Sequence, residues 1–179
     1  MKLGKLEFVP IKNRPDLIIV IVRGCLELNG LSGVLVAEID PRLGDTTAFC
    51  EHYKISMGIS ANCVVVEAKR ANKTWYAACL VLATTRADIN GVVRRELGAR
   101  KTSFAPTDKA VLMTSMEYGG ITPIGLPNDW PILIDQKVID TREVIIGSGI
   151  RGSKLLVPSK SLLSLPNIKV LDITKNENS

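Results

Sequence analysis

The stretch Glu117-Tyr118-Gly119-Gly120-Ile121-Thr122-Pro123-Ile124-Gly125-Leu126-Pro127 sets three glycines and two prolines among bulky apolar residues. Glycine lets a ligand approach the backbone and permits positive φ. Proline fixes φ and restrains the residue before it. A flexible linker would carry Ser, Asn and charges; Ile121, Ile124 and Leu126 can instead anchor this segment to a core. A stiff loop with outward-pointing N–H groups could polarise a carbonyl or hold an oxyanion. A buried turn between two elements is the alternative for any Gly/Pro cluster.

Few other residues offer chemistry. The chain has one histidine, His52, so a Ser-His-Asp or Cys-His device would have to use it, without a local signature. The four cysteines, Cys25, Cys50, Cys63 and Cys79, form no C-x-x-C pair and sit in apolar settings. Buried, reduced thiols are expected, and a zinc site of the usual ligand type is not. Cys63 could be a nucleophile, but Asn-Cys-Val-Val-Val fits a buried strand thiol better. Asp135, at a strand end, could orient water or an amino group, or cap the helix starting at Gln136. Arg86, Arg94, Arg95, Arg100 and Lys101 gather around one helix against Asp88 and Glu96. They form either a phosphate-contacting patch or a solvated face with local ion pairs. Trp75-Tyr76 could stack on a base, or place one ring in the core and one outside.

At 179 residues the chain can bury a sizeable core, and one domain is expected over 1–174, with a disordered polar tail at 175–179. Aromatics make up only 4%, so that core must be Val, Ile, Leu and Ala. A net charge of +5 permits an anionic partner, although 18 acidic residues offset 23 basic ones. The most apolar run, 17–22, is far shorter than the ~20 residues of a membrane span. It has no signal-peptide flanks. A soluble, cytoplasmic protein without membrane contact is expected.

The elements that must position the loop follow in order. Residues 1–16 suggest an edge strand. Residues 17–28 fit a buried helix or strand: the β-branched run favours strand, whereas the length and the Asn29-Gly30 stop favour helix; Gly33–Ile39 reads as a strand. Asp45 caps a helix over Thr46–Tyr53 that buries Ala48 and Phe49. Residues 63–83 read as an antiparallel hairpin with a polar turn at 69–73. Asp88 caps a helix with Ile89, Val92, Val93 and Leu97 on one face, closed by Gly98. A short helix follows Pro106. Strands are expected at 131–135, 144–146, 155–157 and 168–173, with a tight turn at Gly147-Ser148-Gly149 and a short helix at 159–165. Irregular alternation of short elements points to a mixed sheet, not a doubly wound parallel one.

From Cys63 to Asp172 the chain resembles the YbaK/aminoacyl-tRNA-editing domain family: trans-editing deacylases and the insertion domain of bacterial prolyl-tRNA synthetase. The hairpin comes first, then a helix followed by Leu97-Gly98-Ala99-Arg100-Lys101. Gly119-Gly120-Ile121-Thr122-Pro123-Ile124-Gly125 stands close to the family's Gly-Gly-Ile-Ser-Pro-Leu-Gly. Pro131-Ile132-Leu133-Ile134-Asp135 and Gly147-Ser148-Gly149-Ile150-Arg151-Gly152 follow.

The resemblance implies an α+β fold, with a mixed, largely antiparallel, barrel-like sheet wrapped by helices. It implies hydrolysis of the ester joining a wrong, small amino acid to the 3′ end of tRNA, needed because one pocket separates small side chains poorly. Gly119, Gly120 and Thr122 would form the catalytic loop. Cys63, Pro123, Gly125, Asp135, Gly147, Ser148, Gly149 and Lys154 would bind substrate, and Arg94, Arg95, Lys101 and Arg151 the tRNA. No metal or cofactor is implied. The partners would be a tRNA acceptor end and an aminoacyl-tRNA synthetase. Two positions depart from the pattern. Cys63 stands where many members carry a functional lysine, and Lys154 stands where the deacylases have an aspartate. Lys154 would then either supply the missing cation near the terminal phosphate or be a solvated surface lysine. The alternative is a non-catalytic module of the same fold that binds tRNA ends, nucleotides or another small ligand.

Overall fold

The computed structural model describes residues 1–175. Its principal elements are β1 (Val9–Pro10), α1 (Val20–Leu28), β2 (Leu35–Glu38), α2 (Thr46–Tyr53), β3 (Ala61–Arg70), β4 (Lys73–Leu82), β5 (Lys101–Phe104), α3 (Thr107–Thr114), β6 (Ile132–Asp135), α4 (Gln136–Asp140), β7 (Glu143–Gly147), β8 (Ser153–Pro158) and β9 (Ile168–Leu171). The expected tail falls mostly on 176–179, outside the described residues. Lys175 itself pairs with Arg86 in a two-residue ladder.

Two sheets carry the fold. One has the order β7-β8-β2-β1 and is antiparallel throughout; the other has the order β9-β6-β4-β3-β5, in which β6 runs parallel to both neighbours. A parallel bridge between Ser60 and Ile145 joins them. The sheet is therefore mixed, as expected, but it does not close: both sheets are open, and the barrel-like form is not seen.

Alternation along the strands explains the layers. Leu155 and Val157 of β8 and Val65 of β3 point into a core shared by both sheets, with Val22 and Leu26 of α1. Leu156, between them, points to the opposite face, where Phe49 and Cys50 of α2 cover it. Val66 likewise faces away, towards Ile89 and Val93.

Local chemistry sets the element ends. The α1 helix survives its β-branched start because Val22 and Leu26 lie one turn apart and are buried. The Asn29 side chain then donates to the Cys25 carbonyl at 2.9 Å, and Gly30 turns the chain at φ +63°. At α2, the Asp45 carboxylate accepts from the Thr47 and Ala48 amides at 3.0 and 3.2 Å. Phe49 and Cys50 are the buried residues of this helix, while Ala48 is only half-buried.

Two expectations are corrected. The polar segment 69–73 is not a turn, because Lys69, Arg70 and Lys73 belong to the strands and only Ala71-Asn72 connects them. Lys69 is paired on both sides, with Thr74 and Lys101, and its ammonium meets the buried Glu67 carboxylate at 2.6 Å. The helix capped by Asp88 opens as a wide π-type turn over Ile89–Val93 before Arg94–Glu96. The Asp88 carboxylate folds over that turn to reach the Gly91 and Val92 amides.

Asp135 is fully buried, and both of its oxygens accept backbone amides: Lys137 at 3.0 Å and Ile173 at 3.1 Å. One carboxylate thus caps α4 and fastens the C-terminal segment. Asp135→Ala leaves the buried Ile173 amide and the part-buried Lys137 amide without partners and is expected to lower stability by about 2 kcal/mol in denaturant unfolding. A change below about 0.5 kcal/mol would show that the cap carries no weight.

Candidate active site

A cavity of about 400 Å³ lies where four segments meet: the turn Gly44–Thr47 that opens α2, the start of β3 at Ala61–Val64, the loop residues Tyr118, Gly119 and Ile121, and Gly147, Arg151 and Lys154 from the ends of β7 and β8. The Ser60–Ile145 bridge makes this possible. It lays the start of β3 against β7, and the antiparallel partner of β7 carries Lys154 opposite Gly147.

Lys154 is only 7% exposed. Its Nζ donates to the carbonyls of Gly119 at 3.2 Å and Gly44 at 3.4 Å, and lies 5.6 Å from the centre of the Phe49 ring. Burial disfavours the charged form and lowers its pKa to about 8. The nearby Arg151 charge acts in the same direction, and Asp45 opposes it. Cys63 lines the same cavity. Burial pushes its thiol well up, which makes it a poor nucleophile. His52 is exposed on α2 against Tyr53 and does not line the cavity.

Arg151 ties two turns together. Its Nε donates to the Pro41 carbonyl at 2.6 Å and its Nη1 to the Tyr118 carbonyl at 3.1 Å, with the guanidinium over the Tyr118 ring at 5.4 Å. Its own amide donates to the Glu117 carboxylate at 2.6 Å. The clamp leaves little room for a side chain on either side, and the positive φ at Gly119 favours glycine there. A Cβ on Gly119, which sits at φ +80°, would stand 2.6 Å from Nη1, and one on Gly44 would stand 2.8 Å from the Arg151 Cγ.

The loop amides divide into two sets. The Gly120 N–H is taken by the Glu117 carbonyl at 2.9 Å, and the Gly120 carbonyl accepts from Gly149 at 2.8 Å. Gly120 therefore ties the loop to the Gly149 turn, and its amide is engaged. The amides of Gly119 and Ile121, both cavity residues, have no acceptor among the described residues.

Of the residues singled out in the sequence, Gly119, Cys63, Gly147, Arg151 and Lys154 come together here. The others do not. Thr122 is wholly buried behind the loop, with its Oγ1 unpaired. Pro123 and Gly125 border a groove against Ile21 and Cys25 of α1. Ser148 bonds the Ser153 hydroxyl at 2.7 Å in the interior, and Gly149 packs on Ile19. Asp135 is the structural cap already described. Arg94 bonds the Asn90 carbonyl at 2.8 Å, Arg95 borders a separate groove with Arg70 and Arg100, and Lys101 sits opposite Lys69. That is six strand residues beyond Cys63, roughly 20 Å.

Several lining residues were missed. Thr46 donates to the Asn62 side chain at 2.6 Å, linking α2 to β3. The second Asp45 oxygen receives no donor among the described residues, and Tyr118 lies 62% exposed at the mouth. Gly-Asp-Thr-Thr is legible as a helix start, but nothing local says that it meets a loop more than seventy residues away. Among the described residues no group of three His, Cys, Asp or Glu could hold a metal, and no helix is long and apolar enough to cross a membrane.

The family model for the aminoacyl-tRNA editing domain matches residues 40–165. Curated protein sequences return no match. Among solved structures, the fold is similar to a candidate trans-editing enzyme for prolyl tRNA synthetase, at 20% identity and TM-score 0.74, covering 89% of this chain and 99% of that one. It is also similar to the hypothetical protein APE2540, at 17% identity and TM-score 0.76, covering 87% and 99%. A third likeness, at 16% identity and TM-score 0.62, is to 31% of a candidate signal transduction protein from Marinobacter aquaeolei VT8, over 89% of this chain. The family match takes in the Gly44 turn, the β3–β4 hairpin, the glycine loop and Lys154, and the chain belongs to the aminoacyl-tRNA editing domain family.

Proposed function

We propose that the protein hydrolyses the ester of a mischarged tRNA that carries a small amino acid. The supporting observation is a single cavity that holds a desolvated ammonium beside two backbone amides without acceptors among the described residues. In this mechanism the acyl carbonyl oxygen accepts from the Gly119 and Ile121 amides, which then hold the oxyanion as a water oxygen bonds to the acyl carbon. The ester C–O bond breaks, and the leaving ribose oxygen takes up the proton lost by the water. Amino acid and tRNA are released.

Lys154 lends positive charge to the developing oxyanion or to the terminal phosphate. It does so from β8, while Cys63, in the same cavity, supplies no charge. The unengaged Asp45 oxygen suits the ammonium of the amino acid. Met57, Ala61, Ala83 and Ile121 form a small apolar wall that favours a short side chain. The protein would work in the cytoplasm, on tRNA that a synthetase has charged in error.

Incubation with tRNAs mischarged with Ala, Ser or Cys is expected to release at least one amino acid faster than the uncatalysed rate. Tight tRNA binding with no turnover on any would favour a binding module instead. Lys154→Met is expected to lower kcat/KM by about 10²-fold. The charged form of Lys154 prevails below about pH 8, so the enzymatic rate, corrected for spontaneous hydrolysis, should fall as pH rises through about 8. Lys154→Arg should remove that fall, because a guanidinium stays charged. A flat profile in the unaltered protein would assign the charge no role. Cys63→Ser should keep turnover within about threefold, whereas thiol catalysis would lose it almost entirely.

A further inference from the structure

A second cavity, of about 520 Å³, adjoins the first, and Asn62 and Val64 line both. Phe104, the last residue of the edge strand β5, forms one side of it and is 58% exposed. Its partner across the strands is Val66, which is fully buried, yet the Phe104 ring stays in solvent. Ala105-Pro106 follows and restrains the backbone there. On the other side stand Arg86 and the Asp88–Lys175 pair, 3.3 Å apart. Arg86 is exposed and makes no ion pair among the described residues.

A lone exposed aromatic is ordinary. This one is held at the rim of an apolar groove that Arg86, without an ion pair among the described residues, also lines, and the first cavity lies next door. The proposed substrate is a polymer end, so the strand must leave the cavity along the surface. An aromatic face with a nearby cation suits a base and its phosphate. We infer that this groove takes the base of the nucleotide preceding the acylated adenosine, stacked on Phe104, with Arg86 on the adjoining phosphate. The inference rests on the tRNA-end reading of the first cavity.

The test uses an unacylated RNA hairpin with a single-stranded 3′ end, its affinity measured by fluorescence anisotropy, beside a blunt hairpin of the same stem. Phe104→Ala is expected to weaken binding of the overhang about tenfold, and Phe104→Trp to restore it to within about twofold. The blunt hairpin should be indifferent to both. Arg86→Ala should reduce the salt dependence by about one counterion. In turnover, Phe104→Ala should impair hydrolysis of aminoacyl-tRNA but not of aminoacyl-adenosine, which has no preceding nucleotide. Unchanged overhang affinity in Phe104→Ala, or an equal loss on the blunt hairpin, overturns the inference. The two proposals fail separately. Phe104-dependent RNA binding without hydrolysis of any ester keeps the groove and removes the deacylase. Hydrolysis of aminoacyl-tRNA that is indifferent to Phe104 does the reverse.

Discussion

Two backbone carbonyls, those of Gly44 and Gly119, converge on one buried ammonium. Taking a charge out of water costs several kcal/mol unless strong acceptors replace the hydration. A hydrogen bond to a charged group returns about 1.5–3 kcal/mol, so one carbonyl would not suffice and two come close. The requirement runs both ways. Lys154 can stay charged near neutral pH only if the α2 turn and the glycine loop present their oxygens to it. In doing so it fixes the distance between them, and with it the width of the cavity. The remaining imbalance appears as the lowered pKa.

Arg151 meets the same two segments from outside. It takes the Pro41 and Tyr118 carbonyls, so the turn and the loop are held from two sides by two cations. This explains why small residues recur here without invoking flexibility. Gly44 and Gly119 make room for the guanidinium, and at Gly120 any side chain would strike the backbone of Ile150. The loop's stiffness comes from what crowds it. Its unengaged amides follow, because the loop is held through carbonyls and through Gly120, leaving the donors of Gly119 and Ile121 without acceptors among the described residues.

Much of the frame is legible in the amino-acid order. The α1 stop at Asn29-Gly30, the Asp45 cap and the long hairpin are local effects of capping and alternation, and the structure has them. The errors arise where distant residues decide. Lys69 reads as a turn residue, yet it is paired on both sides, with Thr74 and Lys101. Thr122 and Asp135 look chemical because of their residue types, yet one lies behind the loop and the other holds two backbone amides. Cys63 and Lys154 stand at the right positions in the sequence to be noticed as departures from a family. That they share one cavity depends on a single bridge, Ser60 to Ile145, which no local pattern announces. Tyr118 stands in the glycine stretch and Asp45 reads as a helix cap, but that both line one cavity is decided only once the two sheets meet.

The most direct measurement is a crystal structure with an alanyl-adenosine analogue whose ester is replaced by an amide. The account predicts the acyl oxygen within hydrogen-bond distance of the Gly119 or Ile121 amide, and the Lys154 ammonium still on its two carbonyls at the cavity floor. An analogue seated outside this cavity, or bound with its acyl oxygen turned away from both amides, would contradict it.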